Sequence, residues 1–401
     1  MAQAEGLAAL GCCSAAPFDD VRRLLERRRA DGLAGGMQFT YRNPARATDP
    51  AATLPSARSL VVGALAYDPG PPAGPGTAAT AGTGAIAGAA STVAEAGEGS
   101  GAVGSAPGCA SGGGEPLGSV ARYAWADYYS ALRSALGSVG EVLRRAGWRA
   151  VVVADQNNLV DRAAAQRAGL GWYGKSTNLL VPGAGSWFVL GSIITDAELV
   201  AADPVADGCG PCRRCLDGCP TGAIVAPGVL DARRCLAWLV QAPGDFPAEY
   251  RVALGDRIYG CDDCQEVCPP NRRAPRPSSS SPASAHERTV PLLDLLDLDD
   301  ATLLERYGRW YISGRDPRHL RRNALVALGN VAEPGDAAVA ERLVRYLGSD
   351  DELLARHAAW AAMRLGRADL VERAGAQDRP DIAADVAAGR AARRAELGVA
   401  P

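Results

Sequence analysis

Apolar positions along the chain switch between two periods, and the switches mark out its elements. Asp19–Ala30 is Arg-rich with helical spacing, so residues 1–35 are expected to be a peripheral N-terminal helical segment. Residues 59–67, Ser-Leu-Val-Val-Gly-Ala-Leu-Ala-Tyr, are almost continuously apolar and predict a buried strand. Tyr128, Leu132, Leu136, Val139 and Leu143 recur at helical spacing, with Gly147 placed to cap the C-terminus. Residues 150–154 then predict a short buried strand that stops at Asp155. A helix over about 159–168, a glycine-rich turn and a strand over 187–195 follow. Strands alternating with helices make residues 36–200 an α/β or α+β unit.

Two stretches break this pattern. Residues 69–119 are Gly, Ala, Ser, Thr and Pro, with Glu95, Glu98 and Glu115 as acids and no base. Such a segment buries too little apolar surface to offset its ordering entropy, and it reads as a disordered insertion with an inert Cys109. A second Pro/Ser-rich run, 272–287, reads as a linker between a cysteine-rich block at 201–271 and an Ala/Leu/Arg-rich region at 288–395. In that last region, paired helical patterns separated by Gly and Asp turns suggest short repeats of HEAT type, with an ordinary helical cap as the alternative.

Composition adds limits. At 401 residues the chain has room for two or three units. The net charge of −3 argues against indiscriminate coating of nucleic acid and leaves room for a local basic patch. No apolar run approaches the ~18–20 residues of a membrane span, and the opening lacks a basic leader, so a cytoplasmic protein without membrane attachment is expected. Lys175 is the single lysine, which reflects a compositional bias toward Arg.

Of eleven cysteines, eight lie between Cys209 and Cys268. Cys209-x2-Cys212-x2-Cys215-x3-Cys219-Pro220 is the bacterial ferredoxin run, in which three thiolates take one [4Fe–4S] cube and the fourth turns to another. Cys235 and the run Cys261-x2-Cys264-x3-Cys268-Pro269 complete eight ligands. Cross-ligation assigns Cys209, Cys212, Cys215 and Cys268 to one cluster and Cys219, Cys235, Cys261 and Cys264 to the other. Zinc is the competing occupant, but this spacing is much rarer in zinc sites. Two adjacent clusters imply one-electron transfer toward a redox centre.

Gly169-Leu-Gly-Trp-Tyr-Gly174-Lys175-Ser176 satisfies two nucleotide-loop patterns at once. Both need a strand before the loop and a helix after it. Here a helix precedes, and Pro182 stops any helix that follows. The turn is read instead as letting the backbone approach another large ligand. The three histidines, His286, His319 and His357, all lie beyond the linker. An acid in the redox unit is therefore most simply a carboxylate. Asp155, at a strand end, is the candidate, with helix capping as its ordinary role.

Several strings together resemble one family. They are Leu54-Pro-Ser-Ala-Arg58-Ser59, Arg122-Tyr-Ala-Trp-Ala-Asp127-Tyr128, Ala168-Gly-Leu-Gly-Trp-Tyr-Gly-Lys-Ser176 and Gly185-Ser-Trp-Phe188, followed by Cys219-Pro-Thr-Gly-Ala-Ile224, Leu230-Asp-Ala-Arg-Arg-Cys235 and residues 259–269. The set, spread over about 36–365, resembles epoxyqueuosine reductase. The resemblance implies an α+β chain with a cobalamin-binding α/β sandwich domain, a ferredoxin-like domain with two [4Fe–4S] clusters and C-terminal HEAT-like repeats. It implies reduction of the epoxide of epoxyqueuosine at the tRNA anticodon wobble position to queuosine, the last step of that modification. Cob(II)alamin and the two clusters are the implied cofactors. Cobalt reduced toward cob(I)alamin attacks the epoxide, and Asp155 donates the proton beside Arg162. Arg58, Asp155, Lys175, Ser176, Asn178 and Ser186 are the implied cobalamin contacts. The chain departs from the family at Tyr129, Asn158, Asp161 and Ser176, which touches cofactor contacts more than the reaction.

Between Glu305 and Arg322 lie Arg306, Arg309, Arg315, Arg318, Arg321 and Arg322, with Tyr307, Trp310 and Tyr311. Arginines meet phosphate and aromatics stack on unpaired bases. A solvated helix face over core aromatics is the plain alternative; the resemblance tips the reading toward tRNA contacts at Arg315, Arg318, Arg321 and Arg322. The expected partners are tRNA and an unidentified electron donor, with the chain a monomer. Two further readings are a corrinoid iron–sulfur reductase of a small molecule, similar to reductive dehalogenases, and a non-enzymatic electron carrier whose helical repeats dock a partner.

Overall fold

A computed structural model describes residues 6–67, 114–273 and 288–399. Most of the expected insertion and linker, with Cys109 and His286, lies outside them.

In chain order the first elements are β1 (Ala9–Ser14), α1 (Asp19–Ala30), α2 (Pro44–Ala47), β2 (Ser59–Ala66), β3 (Leu117–Val120), α3 (Tyr128–Arg145), β4 (Ala150–Ala154), α4 (Asp161–Arg167), β5 (Trp172–Tyr173), β6 (Leu179–Leu180) and β7 (Phe188–Thr195). The main sheet has the order β1-β2-β7-β4, and every neighbouring pair is antiparallel. Alternation along β2 divides its side chains between two cores. Leu60, Val62 and Ala64 join Leu25, Ala164, Ala165 and Ile194 on one face. Val61 joins Ile193 and the α3 residues Leu132, Ala135 and Leu136 on the other. Helices thus cover both faces of an antiparallel sheet. α3 lies so close that a Cβ at Gly63 or Gly191, which pair across β2 and β7, would stand 2.9 Å from Leu136.

The opening segment differs from the expectation. Only α1 is helical; residues 9–14 form an edge strand that pairs with β2 along its length. Their alternation is masked by small side chains (Ala9, Gly11, Cys12, Cys13), so the pairing is decided by β2 and not by local propensity.

A second sheet was also illegible. With β8 (Ile224–Ala226), β9 (Val229–Leu230), β10 (Arg257–Tyr259) and β11 (Thr289–Pro291) following, the order β10-β3-β11 joins three distant segments. β3 begins at Leu117, inside the stretch expected to be insertion. Beyond it come helices Leu292–Asp297, Asp300–Tyr307, Arg318–Val331, Ala337–Leu347, Glu352–Arg364, Asp369–Arg373 and Ala383–Glu396. Glu352–Arg364 is central and packs against Arg318–Val331, Ala337–Leu347 and Ala383–Glu396. One core runs from Val120 through Tyr259 and Trp310 to Ile382, so the C-terminal helices and the cysteine block share an interior. No helix among the described residues is long and apolar enough to cross a membrane.

Candidate active site

β4 ends at Ala154, and Asp155 turns the chain with φ 55°, a left-handed conformation that Asp tolerates better than most residues. The loop runs to α4, whose first residue is Asp161. Its middle is fastened by Asn157, whose Oδ1 accepts the Thr40 backbone N–H at 2.7 Å. Asp155 is exposed at this turn, with protein packed close enough beside it to displace part of its hydration. That partial desolvation raises its carboxyl pKa, and the Arg133 guanidinium pulls the other way. Asp161 is more deeply enclosed; burial and then the charge of Asp155 push its carboxyl up to about 8. Tyr129, at the start of α3, is raised by burial and by the charges of Asp155 and Asp161. Two carboxyls and a phenol therefore face one recess. Arg162, expected beside Asp155, acts on Asp161, Tyr129, Tyr41 and Tyr67, and the charge acting on Asp155 is Arg133.

The eight block cysteines are all free thiols and fall into two neighbourhoods. Cys268 lies within electrostatic range of Cys215, Cys209 and Cys212. Cys264 lies within range of Cys261, Cys235 and Cys219. Burial pushes Cys261 up to about 12 and Cys268 up to about 11, so bare thiolates are disfavoured there until a cation offsets their charge. Donors already point at sulfur: Ala223 N–H to Cys219 at 3.2 Å, Trp172 Nε1–H to Cys209 at 3.5 Å and Asn178 Nδ2–H to Cys264 at 3.8 Å. Hydrogen bonds of this kind raise cluster potentials. The second foursome is the inner one, and Arg162 lies within electrostatic range of its Cys235 as well as of Asp161.

Other sites expected from the sequence land differently. Lys175 donates to the Gly210 and Cys212 carbonyls at 2.5 and 3.0 Å, bracing the outer cysteine loop. Buried Ser186 bonds Gln265 and Asn271, which flank Cys268 in the sequence, and Ser176 Oγ accepts the Asn178 N–H at 3.4 Å. These residues join the sheet domain to the cysteine block. Arg58 is not brought to the recess. It precedes Ser59, which pairs with Thr195 at the far end of the sheet from Asp155, and it forms an exposed ion pair with Glu198 at 3.2 Å.

The glycine-rich turn approaches its own chain and not a ligand. A Cβ at Gly171 would stand 2.0 Å from the Leu180 carbonyl oxygen, because β5 and β6 form a tight hairpin there. No helix follows Gly174, so neither nucleotide-loop geometry forms.

The arginine patch is also corrected. Arg322 is fully buried and donates to the Leu239, Val240, Ala242 and Gly244 carbonyls, so it cannot meet phosphate. Arg321 is buried against Asp300 at 2.6 Å. Arg318 pairs with Asp316 and Asp351 while half exposed, and Arg315 is exposed beside the Gly308 carbonyl, so the correction applies to Arg321 and Arg322 and leaves these two on the surface. Tyr307 and Trp310 are core residues. Charge and aromatic content drew attention to this helix, but backbone carbonyls within the fold had prior claim on it.

Asp161 and Tyr129 stood in the sequence only as departures from a family pattern. Their place beside Asp155 depends on how α3 and α4 flank the end of β4.

A carboxyl pair at the end of a sheet strand, beside two foursomes of thiols, defines the class of an iron–sulfur redox protein. Residues 208–271 match the family described as 4Fe-4S double cluster binding domain. Epoxyqueuosine reductase of Bacillus cereus is 32% identical over 367 residues, covering 90% of this chain and 86% of the relative. That of Vibrio cholerae is 40% identical over 252 residues, covering 60% of this chain and 66% of the relative. A crystal structure of epoxyqueuosine reductase with a tRNA-Tyr epoxyqueuosine-modified stem loop superposes with a TM-score of 0.77 at 28% identity, covering 98% of this chain and 96% of that one. The chain belongs to the epoxyqueuosine reductase family.

Proposed function

We propose that this chain reduces the epoxide of epoxyqueuosine at the wobble position of tRNA to queuosine, with electrons delivered through two [4Fe–4S] clusters. The observation that carries the reading is the shared recess: Asp155, Asp161 and Tyr129 face it, and Arg162 links it electrostatically to Cys235 of the inner foursome. One cluster is assigned to Cys209, Cys212, Cys215 and Cys268, and the other to Cys219, Cys235, Cys261 and Cys264. The two foursomes would hold clusters that supply one-electron chemistry, with the second foursome the more deeply buried of the two.

The groups gathered about Asp155 are compatible with a bound cobalamin: Tyr129, Arg162 and the carboxyl pair lie there, and the described histidines are engaged elsewhere. His319 Nε2 accepts the Gly244 N–H at 3.3 Å and His357 Nε2 accepts the Phe246 N–H at 3.2 Å. When bound, the corrinoid supplies a low-potential, nucleophilic cobalt. Asp155 holds a proton at its carboxyl and delivers it to the epoxide oxygen as that oxygen takes on negative charge. Desolvation raises the Asp155 carboxyl pKa, the direction an acid needs, against the opposing pull of Arg133. Arg162 orients charge between the acid pair and the inner cluster. The C-terminal helix pairs are read as HEAT-like repeats, and the protein as a cytoplasmic monomer.

Anaerobic purification, quantitation of iron and cobalamin, and assay on epoxyqueuosine-bearing tRNA with a chemical reductant test the reading. Eight irons and one cobalamin per chain are expected, with turnover. In Asp155→Asn, cofactor content stays and turnover falls by at least about 100-fold, the usual weight of a positioned acid. Retained turnover in that variant removes Asp155 from the role.

A further inference from the structure

The glycine-rich run at 169–178 forms no nucleotide loop, and side chains from it reach thiols of both foursomes instead. Most of the run is the β5–β6 hairpin and its turn. The turn closes on itself: the Gly174 N–H donates to the Asn178 carbonyl at 2.8 Å, and the Thr177 N–H to the Gly174 carbonyl at 2.9 Å. Thr177 takes φ 69°, a left-handed conformation that a β-branched residue seldom adopts. Strain of this kind persists only where the surroundings hold it, and it gathers at functional sites. Across this turn Lys175 and Asn178, three residues apart, serve different foursomes.

The outer foursome receives two groups from the hairpin. Trp172 Nε1–H points at Cys209 Sγ, and the indole lies over Gly208, where a Cβ would stand 2.8 Å from the ring. The Lys175 ammonium caps the Gly210 and Cys212 carbonyls inside the Cys209–Cys212 loop. Its backbone is fixed as well, since the Lys175 carbonyl accepts the Gly228 N–H at 3.0 Å from the turn between β8 and β9. Among the described residues no carboxylate pairs with this ammonium, so its charge is not cancelled by an acid. The inner foursome receives one neutral donor, Asn178 Nδ2–H, at Cys264. One short hairpin therefore gives the outer site an indole N–H and a fixed positive charge, and the inner site an amide.

We propose that this hairpin sets the reduction potentials of the two cluster sites separately. Lys175, with Trp172, raises that of the site formed by Cys209, Cys212, Cys215 and Cys268, and Asn178 raises that of the other. A cluster that gains an electron becomes one unit more negative, so a nearby cation or N–H donor stabilises its reduced form more than its oxidised form. Lys175 works through the loop backbone and is a positioning residue: it holds two carbonyls in place and adds its charge beside the thiolates. One electron enters a site from an external reductant and leaves it again, and no bond forms or breaks at the hairpin. The inference rests on the cluster assignment above.

The test uses cluster-loaded, cobalamin-loaded full-length protein, titrated anaerobically with dithionite against redox mediators and followed by electron paramagnetic resonance. Wild type is expected to show two one-electron iron–sulfur midpoints. Lys175→Gln keeps a donor and removes the charge. At a fixed potential it is expected to shift the reduced-to-oxidised ratio of one site about 10-fold toward oxidised, about 59 mV for one electron, and to leave the other site unmoved. Lys175→Arg keeps the charge and is expected to hold that ratio within about 3-fold of wild type. Asn178→Leu is expected to shift the second site about 3-fold in the same direction and to leave the first alone. Iron content shows whether each variant is loaded. Loss of one cluster in Lys175→Gln but not in Lys175→Arg also assigns the charge to the outer loop; loss in both overturns a role for the charge. If loaded variants leave both ratios unmoved, or Lys175 and Asn178 move the same site, the inference falls and the cluster reading stands. If wild type takes up no iron, the cluster reading falls and the inference falls with it.

Discussion

Asp155 and Asp161 reach the same recess because the left-handed turn at Asp155 reverses the chain just before α4. Like charges that close do not ionise independently; they titrate as a pair, and the first proton lost makes the second harder to remove. With Asp161 pushed up to about 8, one proton remains in the recess through neutral pH. Turnover is expected to fall as pH rises through about 8. In Asp161→Asn the carboxyl that keeps its proton up to about 8 is gone, so the alkaline limb moves to lower pH. A pH–rate profile checks both, and a limb that does not move in the variant contradicts the coupling. Asp155 was legible as an acid at a strand end. Its pairing with Asp161 was not, because a short irregular loop carries no periodic signal to say where its two ends meet.

At the level of elements, the Arg318–Val331 helix shows how a pattern of charge can mislead. Nearly every residue from His319 to Gly329 is buried, so this helix has no solvated face over that span. Arg322 and Asn323 turn inward to the turn after the Leu236–Leu239 helix, whose carbonyls otherwise lack donors in the interior. Asn323 Nδ2 bonds the Val240 carbonyl at 2.8 Å, and Arg322 donates to four carbonyls, that of Val240 among them. Replacing Arg322 with Met strands those acceptors, each at a cost of about 1–3 kcal/mol in part, for a total loss of about 3 kcal/mol. A lowered thermal midpoint of the loaded protein, with RNA affinity unchanged, is the expected result. A variant that melts like wild type but binds RNA weakly would return Arg322 to the RNA face. The strands and helices of the sheet domain were legible from period alone: α1, β4 and the start of α3 fall where the pattern put them, and β2 within one residue. β1 and β3 were not, since each is short and is stabilised by partners far along the chain.

For the molecule as a whole, the β10-β3-β11 sheet and the core from Val120 to Ile382 join what the sequence suggested were separate units. A buried pair adds to this: Arg251 meets Asp385 at 2.6 Å, binding the last helix to the segment that follows the inner cysteine Cys235. Stability of the cysteine loops and of the helices should nonetheless differ. The loops around 207–235 and 260–271 contain only short helices and small strands, so the clusters themselves contribute much of their order. Oxidative loss of iron is expected to accelerate hydrogen exchange there by at least about 10-fold and to leave β2, β7 and Arg318–Val331 protected. Uniform acceleration across the chain would mean that the clusters hold the whole fold.

Cysteine spacing, the strand–helix alternation and the absence of histidine before the linker are local properties, and covalent distance along the chain was enough to read eight thiol ligands and an acid from them. Which thiols neighbour which, that the charge of Arg133 acts on Asp155, and that Arg322 serves backbone carbonyls depend on contacts between residues tens to hundreds of positions apart. Such contacts follow from how the elements pack, and only the folded chain brings those groups within reach of one another.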